Sequence, residues 1–157
     1  MEKYDRQYLD LAIREAKKGL EEGGIPIGSV IVLNNKVIGR GHNRRIQNSS
    51  PLIHAEIDCL INALKRKQDL KGGILYSTHM PCYLCSGAII QFGISRVVAG
   101  ESKTFPHAKW LLECRGIEVV DLEVSECEEI IREYILEHKE NWLRTSKRNT
   151  PQLKVSD

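Results

Sequence analysis

The stretch Ile74-Leu75-Tyr76-Ser77-Thr78-His79-Met80-Pro81-Cys82-Tyr83-Leu84-Cys85 decides how this chain is read. Ile74 to Thr78 is a strand-like run that follows Gly72-Gly73, and a helical stretch opens near Cys82, reaches Phe92 and stops at Gly93. A strand delivered into the first turn of a helix is a building unit of α/β domains. The helix opens on a Cys-x-x-Cys pair, which alone fits redox, structural or catalytic roles. Upstream, His54-Ala55-Glu56 opens a second helical stretch to Lys65, with Ile57, Leu60, Ile61 and Leu64 expected on its apolar face. Zinc favours thiolate and imidazole ligands, and a catalytic zinc keeps three protein ligands with a fourth position open. His54, Cys82 and Cys85 supply three ligands, while Cys59, Cys114 and Cys127 form no second Cys-x-x-Cys that would complete a structural site. Glu56 is then free to move a proton from a metal-activated water to a substrate nitrogen.

The flanking sequence fills in the rest of the fold. Tyr4 to Glu22 carries Tyr8, Leu11, Ala12, Ala16 and Leu20 near one helical stripe and ends at Gly23-Gly24. Gly28 to Leu33 is a β-branched run, Asn34-Asn35 a tight turn, and Lys36 to Arg40 the returning strand of a hairpin. Arg44 to Pro51 reads as a polar loop. Arg96 to Ala99 and Ile117 to Leu122 are further strands, separated by a short helix from Ala108 to Arg115 that Gly116 closes. Ser125 is expected to cap a helix through Ile130, Ile131 and Tyr134 that continues or restarts to Trp142. The order α-β-β-α-β-α-β-α-β-α predicts one α/β domain over residues 1–145, a three-layer α/β/α sandwich around a five-stranded mixed sheet. The two metal-bearing helices each follow a strand, so their N-termini are expected to meet at one sheet edge, where thiolates are favoured. The polar stretch 146–157 reads as a mobile tail.

Composition narrows the class. The chain has 157 residues, 41% hydrophobic and 28% charged, with a net charge of +2, which suits one globular domain and gives no footprint for nucleic acid. Arg44, Arg45, Arg144, Lys147 and Arg148 read as a solvated face rather than a binding groove. The polar opening Met1 to Arg6 precedes no apolar signal segment, and no run reaches the roughly 18 apolar residues of a membrane helix. Five cysteines suit a reducing compartment, and the cytoplasm is expected.

Beyond these single readings, the motifs Gly24-Ile-Pro-Ile-Gly28, Gly39-Arg-Gly-His-Asn43, His54-Ala-Glu56, Pro81-Cys-Tyr-Leu-Cys85-Ser-Gly-Ala88 and Arg96-Val-Val-Ala-Gly100 resemble the cytidine deaminase-like superfamily. Within it the chain is most similar to the fungal-type zinc-dependent cytosine deaminases, from about Tyr4 to Trp142. The resemblance implies zinc on His54, Cys82 and Cys85 and Glu56 as general acid/base. It further implies Asn43 bonded to the base, Ile27 lining the pocket, and Phe105 and Trp142 enclosing the ring. The implied reaction turns a free nucleobase, cytosine first, into uracil and ammonia, in a homodimer paired through sheet-flanking helices. Deamination of guanine or another base or nucleoside, or of adenosine in tRNA, shares the same motifs, and a non-catalytic zinc-binding module is the remaining reading. The chain departs from the cytosine deaminase pattern at His79, where that pattern has an apolar residue, and at Arg144 or Thr145, where it has an acid. His79 is therefore expected at the base edge, shifting substrate choice. His42 and His107 are read as non-ligands and Cys59 as a small buried apolar residue.

Overall fold

A computed structural model of the chain describes residues 4–66, 69–105 and 108–146. His107 and the stretch 147–157 lie outside the described residues. The elements are α1 (Asp5–Glu21), β1 (Gly28–Leu33), β2 (Lys36–His42), α2 (Ala55–Leu64), β3 (Ile74–Ser77), α3 (Tyr83–Gln91), β4 (Arg96–Ala99), α4 (Lys109–Glu113), β5 (Glu118–Asp121), α5 (Ser125–Glu137) and α6 (Lys139–Ser146). Among the described residues no helix is long and apolar enough to cross a membrane.

The β1–β2 hairpin forms because Asn34 and Asn35 both accept positive φ, 51° and 60°, the conformation whose twist matches the two strands. β1 pairs antiparallel with β2 on one side and β3 on the other, while β3, β4 and β5 run parallel in the order β2-β1-β3-β4-β5. The sheet is thus mixed and five-stranded, as expected. Alternation along β1 sends Val30 and Val32 into a cluster with Leu9, Ala12 and Ile13 of α1 and Cys127 of α5. Ile31 points the other way, into a cluster with Cys59, Leu60 and Ala63 of α2, Ile89 of α3 and Leu112 of α4. Two layers of helix therefore enclose the sheet.

Two glycines bring helices within backbone contact of the sheet. A Cβ on Gly28 would lie 2.1 Å from the Ala12 carbonyl oxygen, and one on Gly41 would lie 2.3 Å from the Cys59 nitrogen. This closeness corrects the apolar stripe expected for α2. Ala55, Cys59, Leu60 and Ala63 form its buried face, whereas Ile61 and Leu64 are exposed, because a helix seated this near the backbone has room mainly for small side chains. The stripe on α1 is also rotated. It buries Leu9, Ala12, Ile13 and Ala16, with Gly19 against the His42 ring and Leu20 exposed. Ser125 does not cap α5; the cap position is Val124, with no side-chain bond. The last helical stretch breaks at His138 and restarts as α6.

Asp5 is fully buried in the first turn of α1 and accepts bonds from Arg96 Nη1 at 2.8 Å, Arg96 Nη2 at 3.0 Å and the Tyr76 hydroxyl at 3.1 Å. This forked pair pins α1 across β3 and β4, and the Asp5 carboxylate raises Arg96 above its ordinary value. Breaking one side of such a buried pair typically costs about 3–5 kcal/mol. Asp5→Asn should lower unfolding stability by about 3 kcal/mol in urea titrations. A loss below about 0.5 kcal/mol, the scale of a surface change, would mean that the pair is not a pin.

Candidate metal centre and active site

Four strand ends define one edge of the sheet. β1 begins there at Gly28, opposite His42 at the end of β2; Ser29 lies opposite Ser77 at the end of β3, and Ser77 beside Ala99 at the end of β4. Segments just beyond these ends supply Ile27, Asn43, His79 and Phe105. All four line one pocket together with Arg45, His54, Glu56, Met80, Cys82 and Trp142. Trp142 comes from α6 and rests with Ile27, Ala55, Ile131 and Tyr134 in a third apolar cluster.

Two helix starts converge on this pocket. His54 is the residue before α2 and Cys82 the residue before α3, both extended, so each stands at a cap rather than inside a first turn. Ligand atoms of His54, Cys82 and Cys85 all lie within 4.8 Å of one another. Hydrogen bonding from the Cys85 thiol, joined by that from His54 and opposed by burial, draws the Cys82 thiol down to about 4. His54 Nδ1 accordingly donates to the Cys82 sulfur at 3.4 Å. Burial disfavours the charged His54 ring, but the bond and charge of Cys82 outweigh it and raise the imidazole above its ordinary value. Cys85 is fully buried and burial holds it as a thiol. One nitrogen and two sulfurs at this spacing fit a zinc ion, whose charge would ionise Cys85 as well.

Glu56 lies beneath, buried, with burial and then the Cys82 charge raising its carboxyl above the ordinary value. Its Oε2 accepts from the Cys85 sulfur at 3.3 Å. Its Oε1 accepts from Ser77 Oγ at 3.3 Å, and Ser77 Oγ accepts from Ser29 Oγ at 3.0 Å. The serine pair was not singled out from the sequence. Its signal is a serine at the end of each of two strand runs, Gly28-Ser29-Val30-Ile31 and Ile74-Leu75-Tyr76-Ser77.

Asn43 is buried, with its amide donating to the Ile27 carbonyl at 2.9 Å and its Oδ1 accepting from the Arg45 amide at 3.1 Å. The side-chain NH₂ is thereby left for the pocket. The preceding His42 is buried, its ring held between Glu15 at 3.3 Å and Glu22 at 2.8 Å. Arg45 corrects the expectation of a solvated face. It lines the pocket, and its buried Nε and Nη2 have no hydrogen-bond partner among the described residues. Burial pulls its guanidinium down to about 10. Arg44 is tied to Asp58 at 3.1 Å and Glu22 at 3.5 Å. On the far wall His79 Nδ1 donates to Glu101, and the His79 ring packs against Phe105 and Trp142. Glu101 and Met80 were also missed, since neither carries a spacing signal. Cys59 sits fully buried in the α2 core cluster, away from these groups.

Comparison with known proteins agrees with this arrangement. The profile of the cytidine and deoxycytidylate deaminase zinc-binding region matches residues 2–101. A cytosine deaminase of Candida albicans is 41% identical over 140 residues, which cover 88% of this chain and 93% of that protein. A tRNA-specific adenosine deaminase of Bacillus subtilis is 40% identical over 98 residues, 61% of this chain and 61% of its own length. Among solved structures, the guanine deaminase of Bacillus subtilis superposes with a TM-score of 0.60 at 28% identity, over 75% of this chain and 72% of that one. With its profile matched over most of the chain and a full-length relative aligned beyond it, this protein belongs to the cytidine and deoxycytidylate deaminase family and is a zinc-dependent hydrolytic deaminase.

Proposed function

We propose that the chain, as one domain over residues 1–145, deaminates free cytosine to uracil and ammonia. The observation that carries this reading is the pairing of Glu56 and the His54, Cys82 and Cys85 cluster with a wall of donors, the Asn43 NH₂ and the buried Arg45 guanidinium. Donors alone want an acceptor, and the C2 oxygen of cytosine supplies one next to the reacting amidine. Adenine has no exocyclic oxygen and offers these donors ring nitrogens alone, a poorer match for a site built around a carbonyl oxygen. The 41% identity to a cytosine deaminase over nearly all of that protein supports the same choice. Guanine also carries a carbonyl oxygen, and the likeness to a guanine deaminase makes it the second reading.

His54, Cys82 and Cys85 would hold the zinc, which supplies Lewis acidity that makes a water nucleophilic near neutral pH. The chain's own residues handle the protons. Once Cys85 is a thiolate it no longer donates to Glu56, and Oε2 becomes free while Ser77 still holds Oε1. Oε2 takes a proton from the attacking water and gives it to ring N3, making C4 more electrophilic. It then takes the remaining proton from the hydroxyl added at C4 and passes it to the amino group, so that ammonia leaves as the C4 carbonyl of uracil forms. The raised affinity of Glu56 for protons suits a group that must hold one between these steps. Ile27, Phe105 and Trp142 shelter the ring from bulk water.

We also propose a homodimer. Tyr83, Leu84 and Phe92 around α3 and Ile61 on α2 are exposed apolar residues, and Trp110 on α4 is 57% exposed. They lie on helices of one layer, a surface suited to a second copy.

An ammonia-release screen over cytosine, guanine and adenine should show cytosine turned over fastest, and Glu56→Gln should cut that rate by about 10²–10⁴-fold or more with zinc retained. Turnover of adenine alone, or an unimpaired Gln variant, would overturn the reading. Metal analysis should find about one zinc per chain, and Cys85→Ala should lose both zinc and activity. Zinc retained at wild-type level by that variant would exclude Cys85 as a ligand. Sedimentation should give twice the chain mass, reduced to one chain by Leu84→Glu with Trp110→Glu; a monomeric parent protein rules out the dimer.

A further inference from the structure

His79 stands where the resemblance led us to expect an apolar residue, and its surroundings define what it can do. Its side chain is 9% exposed, and its ring lies 6.3 Å from that of Phe105 and 6.1 Å from that of Trp142, edge-on to the latter. Nδ1 is committed to Glu101 Oε1. Glu101 is fixed in turn, with Oε2 accepting from the Thr104 amide at 3.0 Å and hydroxyl at 3.1 Å. Burial works to raise the Glu101 carboxyl, but these bonds, led by that from His79, bring it below its ordinary value, so it is ionised. A carboxylate only accepts, so Nδ1 carries the ring proton. In the neutral imidazole Nε2 then presents a lone pair. Nε2 has no hydrogen-bond partner among the described residues.

The substrate's orientation follows from ring chemistry. Its amidine edge must meet Glu56, and its C2 oxygen faces Asn43 and Arg45. The C5 edge is what remains for the wall of His79, Phe105 and Trp142. A bare C–H or a methyl there covers this acceptor and leaves it unpaired, whereas a hydroxyl or amino group pairs with it.

We infer that His79, oriented by Glu101, selects a pyrimidine carrying a hydrogen-bond donor at C5, such as a hydroxymethyl or amino group, over the bare or methylated ring. This rests on the pyrimidine reading above and narrows it to a substituted cytosine.

The test uses binding, so it does not require turnover. Zinc-loaded protein is titrated in a calorimeter with 5-hydroxymethyluracil and with 5-methyluracil, product-like rings that differ by one hydroxyl. Wild type should prefer the hydroxymethyl ring by about tenfold, the scale of one buried hydrogen bond. His79→Leu should lose or reverse that preference with unchanged zinc content. His79→Gln, which keeps a side-chain acceptor, should recover part of it. If the Leu variant fails to fold, His79→Phe keeps a ring without nitrogen and gives the same comparison. Equal ratios in wild type and variant, or a wild type that favours the methyl ring, would overturn the assignment. Absence of ammonia from every base would refute the proposed reaction instead, with the binding ratio still deciding the role of His79.

Discussion

The site depends on two helix N-termini being brought to a single point. The positive ends of two helix dipoles repel each other unless negative charge lies between them. Here the Cys82 thiolate stands at the start of α3, facing His54 at the start of α2, with the buried Glu56 below. The arrangement is built by backbone contact. Gly41 lets α2 settle onto β2 and Gly28 lets α1 settle onto β1, so the helices cannot slide without meeting main-chain atoms. The strand ends then deliver pocket residues from a rigid edge rather than from long loops.

The polar groups of the pocket are held by partners from elsewhere in the fold. Ser29 and Ser77, facing across the β1–β3 pair, orient Glu56; Glu101 and Thr104 orient His79; the Arg45 amide orients Asn43. His42 sits between Glu15 and Glu22 and joins the end of β2 to the C-terminal half of α1. Few of the polar side chains that line the pocket are left to choose their own rotamer, which is the condition for pre-organised chemistry.

Much of this could be read from the sequence, and the exceptions have physical causes. β1 and β4 were placed to the residue, because β-branched runs bounded by Gly, Asn or Ser leave little latitude. The cluster of His54, Cys82 and Cys85 was legible because His-x-Glu and Cys-x-x-Cys are local spacings. The buried face of α2 departs from the expected stripe because close approach to glycine buries Ala and Cys while Ile61 and Leu64 face outward, and that of α1 is rotated to bury Leu9 and Ile13. Arg45 was misassigned because charge argues for solvent, and only the fold shows that its loop turns inward. Glu101 was invisible for a different reason. Its significance lies in a contact with His79 across 22 residues, and no periodicity reports such a pairing.

The division of the site along the chain has a consequence for its biogenesis and its divergence. The ligand cluster and Glu56 lie between positions 54 and 85, whereas Phe105 and Trp142 enter the pocket from later segments. A chain synthesised from its N-terminus exposes the ion-binding groups first and acquires the aromatic side of its pocket last. The aromatic side of the pocket can thus be rewritten in the later segments around an unaltered ligand cluster, whereas Asn43, Arg45 and His79 lie beside or within the stretch that carries that cluster.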